Sequence, residues 1–185
     1  AAVRESGLVG LGGAGFPTDV KLQPKDPVDT LLINASECEV WLTSDTQEML
    51  LCADDIIRGI QAVLKYVGIP KCVIGIENNK PEAIKKLKEL VKDEPRIEVC
   101  ELLTKYPQGG ERQLIYAVTG RAINSKMLPA DAGCVVDNVD TVIAVYEAVI
   151  LGKPVMDRIV TVTGQGIKNP QNFDVLSGTD MAELI

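Results

Sequence analysis

An α/β fold, with a parallel sheet and helices on both of its faces, is predicted by three features of the sequence. Four short apolar runs, at residues 30–34, 71–76, 96–103 and 134–136, have the length and composition of buried strands. Between them lie longer stretches whose apolar residues recur every three or four positions, the period of a helix packed on one side. Strands that alternate with helices form βαβ crossovers, and crossovers make parallel sheets. The third feature is a set of polar and glycine-containing segments after the strands, at residues 34–39, 106–111 and 137–138, which a parallel sheet gathers on one rim.

The first strand, Thr30-Leu31-Leu32-Ile33-Asn34, is nearly continuous in apolar residues and ends polar. One long helix is expected over residues 45–66. Ser44 and Gln47 have capping-box spacing, Met49, Ala53, Ile56, Ile60, Val63 and Val67 mark the buried face, and Gly68 ends it. After the second strand, Pro81 sits early in a helix, where its missing N–H is harmless. Ala83, Ile84, Leu87, Leu90 and Val91 form that helix's apolar stripe. After the third strand, Gly109-Gly110-Glu111 opens a helix that carries Leu114, Ile115 and Val118 and stops at Gly120. Residues 121–133 read as a loop. The fourth strand leads into a helix capped by Asp137 or Asn138, with Val142, Val145, Tyr146 and Val149 inward, ended by Gly152.

Past Gly152-Lys153-Pro154 the pattern changes. Residues 158–163 alternate as a half-buried strand, residues 173–175 form a second, and residues 178–180 resemble a helix start. So small a piece buries no core of its own. We therefore expect an α/β domain at residues 1–153 and the opening part of a second domain at 154–185, the whole being a stretch of a longer protein.

Composition narrows the chemistry. The 185 residues, 46% of them hydrophobic, suffice for one ordinary core. A net charge of −7 argues against nucleic acid as the main partner. No apolar run approaches the roughly 18 residues of a membrane span. The five cysteines are scattered and form no C-x-x-C pair, which points to a reducing compartment and away from a metal or iron–sulfur site within these residues. Histidine is absent altogether, and with it the commonest general base. Any chemistry must use carboxylates, lysine, cysteine or a bound cofactor.

The stretch Gly10-Leu11-Gly12-Gly13-Ala14-Gly15-Phe16-Pro17-Thr18, with Lys21 behind it, is built to let another molecule approach the backbone. Such a loop cradles an anion through clustered N–H groups, or is simply a tight turn. It fits neither the dinucleotide fingerprint, because too little strand precedes it, nor the Walker A pattern. Glu37 and Glu39 alternate around Cys38, so that in an extended segment both carboxylates share a side. Cys38 and the single tryptophan, Trp41, read as structural residues, and Lys85, Lys86 and Lys88 as a solvated face. Arg121 and Lys126 are two candidates to reach a cofactor phosphate, and the sequence does not choose between them.

Together, the glycine loop, Asn34-Ala35-Ser36-Glu37-Cys38-Glu39, Tyr106-Pro107-Gln108-Gly109-Gly110-Glu111 and Asp137-Asn138-Val139 resemble the flavin-binding module shared by the RnfC-type component of Rnf electron-transport complexes and the flavin subunit of respiratory complex I. The wording of the second and third motifs is nearest the Rnf-type branch. The resemblance covers about residues 5–152, and residues 157–185 resemble the start of the soluble-ligand-binding β-grasp (SLBB) domain that follows it. It implies a Rossmann-like sheet, non-covalent FMN at the strand rim and NADH as hydride donor. Carried over by position, Gly10, Gly12, Gly13, Lys21, Asn34, Ser36, Glu37, Gly110, Glu111 and Asn138 would hold FMN, while Phe16 and Glu39 would face NADH. No residue would be catalytic in its own right, because the flavin brings the redox chemistry.

The resemblance further implies an electron-entry module, part of an NADH-dependent FMN oxidoreductase of the Rnf type or a related soluble electron-transfer protein. Electrons would leave to iron–sulfur centres outside this chain, in partner subunits or proteins. The location would be cytoplasmic, or peripheral at the inner face of the cell membrane through partners. Departures from the complex I pattern are Leu11, Ser36, Val40 and Arg112, where that pattern has arginine, aspartate, proline and a second acidic residue, and the aromatic that follows the lysine there is missing after Lys21. These bear more on NADH than on FMN. They keep open a non-catalytic scaffold and a nucleotide- or cobalamin-type ligand-binding module as alternatives.

Overall fold

The computed structural model describes residues 1–185. Two short helices, α1 (Ala2–Glu5) and α2 (Thr18–Lys21), flank the glycine loop. The body follows as β1 (Thr30–Ala35), α3 (Ser44–Leu51), α4 (Ala53–Val67), β2 (Lys71–Glu77), α5 (Pro81–Val91), β3 (Ile97–Leu102), α6 (Glu111–Thr119), β4 (Cys134–Asn138) and α7 (Val139–Tyr146), which runs on into a wider π-type turn at Glu147–Leu151. A hairpin of β5 (Asp157–Val162) and β6 (Gln171–Leu176) closes the chain; short 3-10 helices lie at Pro129–Ala132, before β4, and at Met181–Glu183.

The four central strands form a parallel sheet in the order β3-β2-β1-β4, as the alternation of strands and helices predicts. Side chains alternate across each strand. Leu31, Ile33 and Ala35 of β1, with Cys72, Ile74 and Ile76 of β2, face the larger core, where α3, α4, α5 and α7 pack. Leu32, Val73 and Val136 face the opposite side and meet Leu114 and Ile115 of α6. Helices therefore cover both faces. Helices α4 and α7 approach closely, since a Cβ built on Gly59 would lie 2.0 Å from the Val142 carbonyl oxygen. No helix is long and apolar enough to cross a membrane.

Strand order has a consequence for ligands. The chain steps from β1 to β2 to β3 in one direction, then returns to place β4 on the other side of β1. In open α/β sheets a crevice opens at the carboxyl ends of the two strands where the direction reverses. Here those strands are β1 and β4, and their ends are paired at Asn34 and Asn138.

Three expectations are corrected. The helix over residues 45–66 is two helices, broken at Cys52 (φ −114°, ψ 24°). The apolar period runs through the break unchanged, while Ala53-Asp54-Asp55 puts two carboxylates into a new first turn, where they favour a helix start. Ser44 and Gln47 form no capping box: Thr43 is the N-cap residue, and the carboxylate of Glu37 accepts the Thr46 N–H at 3.1 Å instead. Trp41 is no packing residue; it is 62% exposed, with a left-handed φ of 64°. The final helix is capped by Asn138, whose Oδ1 accepts the Asp140 N–H at 2.9 Å, as one of the two predicted caps.

The hairpin lies against the start of α3. Thr43 donates its N–H to Thr161 Oγ1 at 3.4 Å and its hydroxyl to Asn172 Oδ1 at 3.2 Å. Val155 donates to the Ser6 carbonyl at 3.1 Å.

Candidate functional site

The glycine loop folds back on itself. Gly10 donates its N–H to the Phe16 carbonyl at 2.8 Å, and Thr18 donates to the Leu8 carbonyl at 3.2 Å. The Leu11 N–H donates to Thr141 Oγ1 at 3.0 Å, which fixes the loop to α7. From there the backbone passes so close to β4 that a Cβ on Gly12 would sit 2.6 Å from Asn138 Cβ. Only glycine fits that position without displacing its neighbour. Amides from Gly12 to Gly15 donate to nothing in the chain with ordinary geometry, so the outer loop presents bare N–H groups.

Beside it, the segment after β1 is tied to the segment after β3. Asn34 Nδ2 donates to the Gly109 carbonyl at 2.8 Å, and its Oδ1 accepts the Ser36 N–H at 3.1 Å. Cys38 Sγ accepts the Gly109 N–H at 2.9 Å, which gives this thiol the structural role expected of it. A Cβ on Gly109 would lie 2.8 Å from the Ser36 carbonyl oxygen. Gly110 is the N-cap residue of α6, so the positive end of that helix's dipole borders the same space.

These segments enclose a cleft of about 590 Å³ at the carboxyl ends of β1 and β4, within the roughly 300–1,000 Å³ of small-molecule sites. Leu11, Gly12, Asn34, Ser36, Gly110 and Asn138 line it, and Glu37 and Glu39 stand at one end. The hydroxyl of Ser36 is buried against the cleft without a hydrogen-bond partner. Burying an unpaired hydroxyl costs about 1–3 kcal/mol, and a polar ligand in the cleft would remove that cost. A second hollow, about 500 Å³, shares Glu37, Glu39 and Leu42 and continues toward Trp41 and Lys80.

Not every residue named from the sequence faces this cleft. Gly10, Gly13, Phe16, Lys21 and Glu111 do not line it. Phe16 is 51% exposed on the outer arm of the glycine loop. Lys21 lies beneath, where Nζ donates to the Val136 carbonyl at 2.8 Å and stands 3.5 Å from the buried carboxylate of Asp137. Burial pushes Asp137 up to about 6, against the pull of Lys21. Glu37 turns inward to Thr46 and stands 3.9 Å from the buried Lys80 ammonium, while Glu39 is exposed; both residues line the cleft and the second hollow. Arg121 is a correction. It pairs bidentately with Asp29 and donates to the Ala132 carbonyl, at the opposite ends of the strands, and cannot reach the rim.

Three acidic residues not singled out in the sequence stand beside the cleft. Asp45 Oδ2 accepts from Asn138 Nδ2 at 2.6 Å, and burial, helped by the Glu37 charge, pushes its carboxyl up to about 7. Asp140 lines the cleft and faces Glu48; burial raises both, and their mutual repulsion adds to it for Glu48. Arg158, Ile159, Val160 and Thr161 of β5 form the remaining wall. Nothing local to these residues marks them, because Asp45 and Asp140 sit in ordinary acidic first turns and Arg158 in an ordinary alternating strand.

Residues 3–147 match the family described as the Nuo51 FMN-binding domain. Over 185 aligned residues the chain is 45% identical to the C component of the Na(+)-translocating ferredoxin:NAD(+) oxidoreductase complex of Acetobacterium woodii, covering 99% of this chain and 42% of that one. It is 44% identical to the C component of the proton-translocating ferredoxin:NAD(+) oxidoreductase complex of Clostridium ljungdahlii, and 40% identical to that of the ion-translocating oxidoreductase complex of Pseudomonas aeruginosa. The chain spans 40% and 24% of those two relatives. In fold it is similar to a chain in the crystal structure of an air-oxidised NAD+-reducing [NiFe]-hydrogenase, with a TM-score of 0.83, 24% identity, and coverage of 99% of this chain and 37% of that one.

Proposed function

The chain belongs to the Nuo51 FMN-binding domain family, and from that premise we propose that the cleft between β1 and β4 holds FMN and serves as the electron-entry site of an NADH-linked oxidoreductase. The observation that carries this reading is the cleft itself. It lies at the switch point of the sheet, walled by Gly12, Gly109 and Gly110, with the unpartnered Ser36 hydroxyl buried against it. The residues fit the cofactor. Glycine leaves room for a flat ring system against the backbone, amides of the loop and of the α6 entrance suit an anionic or carbonyl oxygen, and Ser36 suits a polyol. When bound, FMN would accept a hydride from NADH and pass single electrons to iron–sulfur centres beyond these residues.

The chain's own part is binding and positioning. Leu11, fixed to Thr141, and Gly12, packed on Asn138, set the floor for the cofactor. Asn34 holds the Gly109 carbonyl and so keeps the opposite wall at a constant separation. Asn138 contributes as a brace, because its Oδ1 caps α7 and its Nδ2 binds Asp45. Lys21 acts in the same indirect way, anchoring the end of β4 from below. Gly10, Gly13 and Glu111, outside the cleft lining, would support the FMN side only indirectly, through the shape of the loop and of the α6 entrance, and Glu37 steadies α3 beside it. Glu39 and Phe16, both exposed, are the groups free to meet a dinucleotide arriving from solvent. Residues 154–185 are read as the opening of the SLBB β-grasp domain. Protein partners supply the electron acceptors, as befits a chain whose relatives are components of oxidoreductase complexes.

The test is anaerobic addition of NADH to the FMN-loaded chain, followed at the flavin absorbance band. Bleaching is expected, slowed in Glu39→Gln and Phe16→Ala. Flavin binding without bleaching would contradict the NADH half of the reading, and a folded chain that takes no flavin would favour the scaffold alternative.

A further inference from the structure

We propose that Arg158, from the C-terminal hairpin, is the residue that holds a phosphate group of the ligand in the cleft. This rests on the flavin-site reading above, and it assigns the cation that the site needs.

Charge and reach together single out this side chain. A phosphate ester bound in a low-dielectric cleft requires hydrogen-bond donors and a compensating cation. The cleft is otherwise acidic, since Glu37, Glu39, Asp45 and Asp140 all line it. Four other cations of this half of the molecule bond away from the cleft, and Lys105 and Lys126 do not line it. Lys21 is held below the sheet end by Val136 and Asp137. Lys80 is buried between Glu77, at 3.5 Å, and Glu37, at 3.9 Å. Arg112 donates to the Ser125 carbonyl, and Arg121 is paired with Asp29 at the far end of the strands. Arg158 alone brings a positive charge to the cleft lining.

Its geometry suits the task. One guanidinium nitrogen, Nη2, donates to the Leu11 carbonyl at 2.8 Å, on the glycine loop itself. The remaining nitrogens, Nε and Nη1, donate to nothing in the chain, although the Asp140 carboxylate is near enough to feel the charge. A guanidinium is a planar fork that can hold a carbonyl with one prong and a phosphate with the others, which an ammonium cannot reproduce. Arg158 would thus bind the anion and clamp the glycine loop at Leu11. Two ligands carry the chemistry: the phosphate monoester of FMN and the diphosphate of a dinucleotide.

The experiment compares ligands with and without phosphate on the same chain. Wild type, Arg158→Met and Arg158→Lys are titrated with FMN and with riboflavin by fluorescence quenching, and the FMN-loaded forms are titrated with ADP-ribose. If the FMN phosphate is the partner, Arg158→Met weakens FMN about ten- to a hundredfold, the scale of one charge-assisted hydrogen bond, leaves riboflavin unchanged, and Arg158→Lys restores only part of it. If the dinucleotide diphosphate is the partner, FMN is unchanged and ADP-ribose is weakened by that factor. Equal weakening of FMN and riboflavin would mean that Arg158 only shapes the loop, and no change in any of the three would mean that it is idle; either result overturns the proposal. A wild-type chain that binds none of the ligands would instead overturn the flavin-site reading on which it rests, and is seen before any variant is made.

Discussion

Asp45, Glu48 and Asp140 meet beside the cleft, and burial drives each carboxyl toward its neutral form. A carboxyl raised on folding keeps a proton that the unfolded chain has already released, so stability falls as pH rises between the two values. For Asp45 that interval runs from the ordinary carboxylate range to about 7. The melting temperature should therefore fall as pH is raised from about 5 to about 8. Glu48→Gln should flatten the fall, because it removes a carboxyl whose value rises on folding while its amide can still donate to Asp140. A flat melting profile in the wild-type chain would count against the cluster. Asp29, held down to about 2 by Arg121, has the opposite sign but is largely exposed and contributes little. Gly12→Ala should cost about 1 kcal/mol in urea unfolding, because the new methyl displaces Asn138 and with it the cap of α7. Asn138 is legible as a cap from its place before an apolar helical run. Glu37 is not, since it caps α3 from outside the local sequence, and neither is the exposure of Trp41.

At the level of elements, the strands and most helices follow from apolar period and glycine stops, because Gly68, Gly120 and Gly152 each end a helix in the left-handed conformation. The break at Cys52 leaves no mark in the period; beyond it α4 runs along α7, while α3 touches α5 and α7 alike. The α4–α7 contact depends on one missing side chain. Gly59→Ala would press a methyl into the Val142 carbonyl and should destabilise by about 1–3 kcal/mol or more, read from the urea midpoint. An alanine tolerated there without loss would show that the two helices do not approach so closely.

Across the whole molecule, the decisive fact is strand order. Four parallel strands admit several orders, and apolar patterning alone does not choose among them; β3-β2-β1-β4 places the reversal between Asn34 and Asn138. The motifs are readable as rim residues, while the particular pair of strand ends is not. Nor does local sequence show that residues 158–161 return to wall the cleft from so far along the chain. From that wall follows a prediction at the same scale: a chain ending at residue 153 should keep its sheet and cooperative melting but bind FMN about tenfold more weakly or worse, in parallel with loss of the Arg158 donor. Undiminished FMN binding would leave the hairpin a role only toward the dinucleotide diphosphate, and undiminished ADP-ribose binding as well would make it a bystander.

Whether FMN occupies the cleft at the ends of β1 and β4 is tested most directly by backbone amide NMR of the labelled chain during an FMN titration. Occupancy of that cleft predicts saturable shifts concentrated at Gly12 to Gly15, Ser36, Gly109, Gly110 and Arg158, with Arg121 and the opposite strand ends silent. Saturable shifts centred elsewhere, or none from a folded chain, would contradict it.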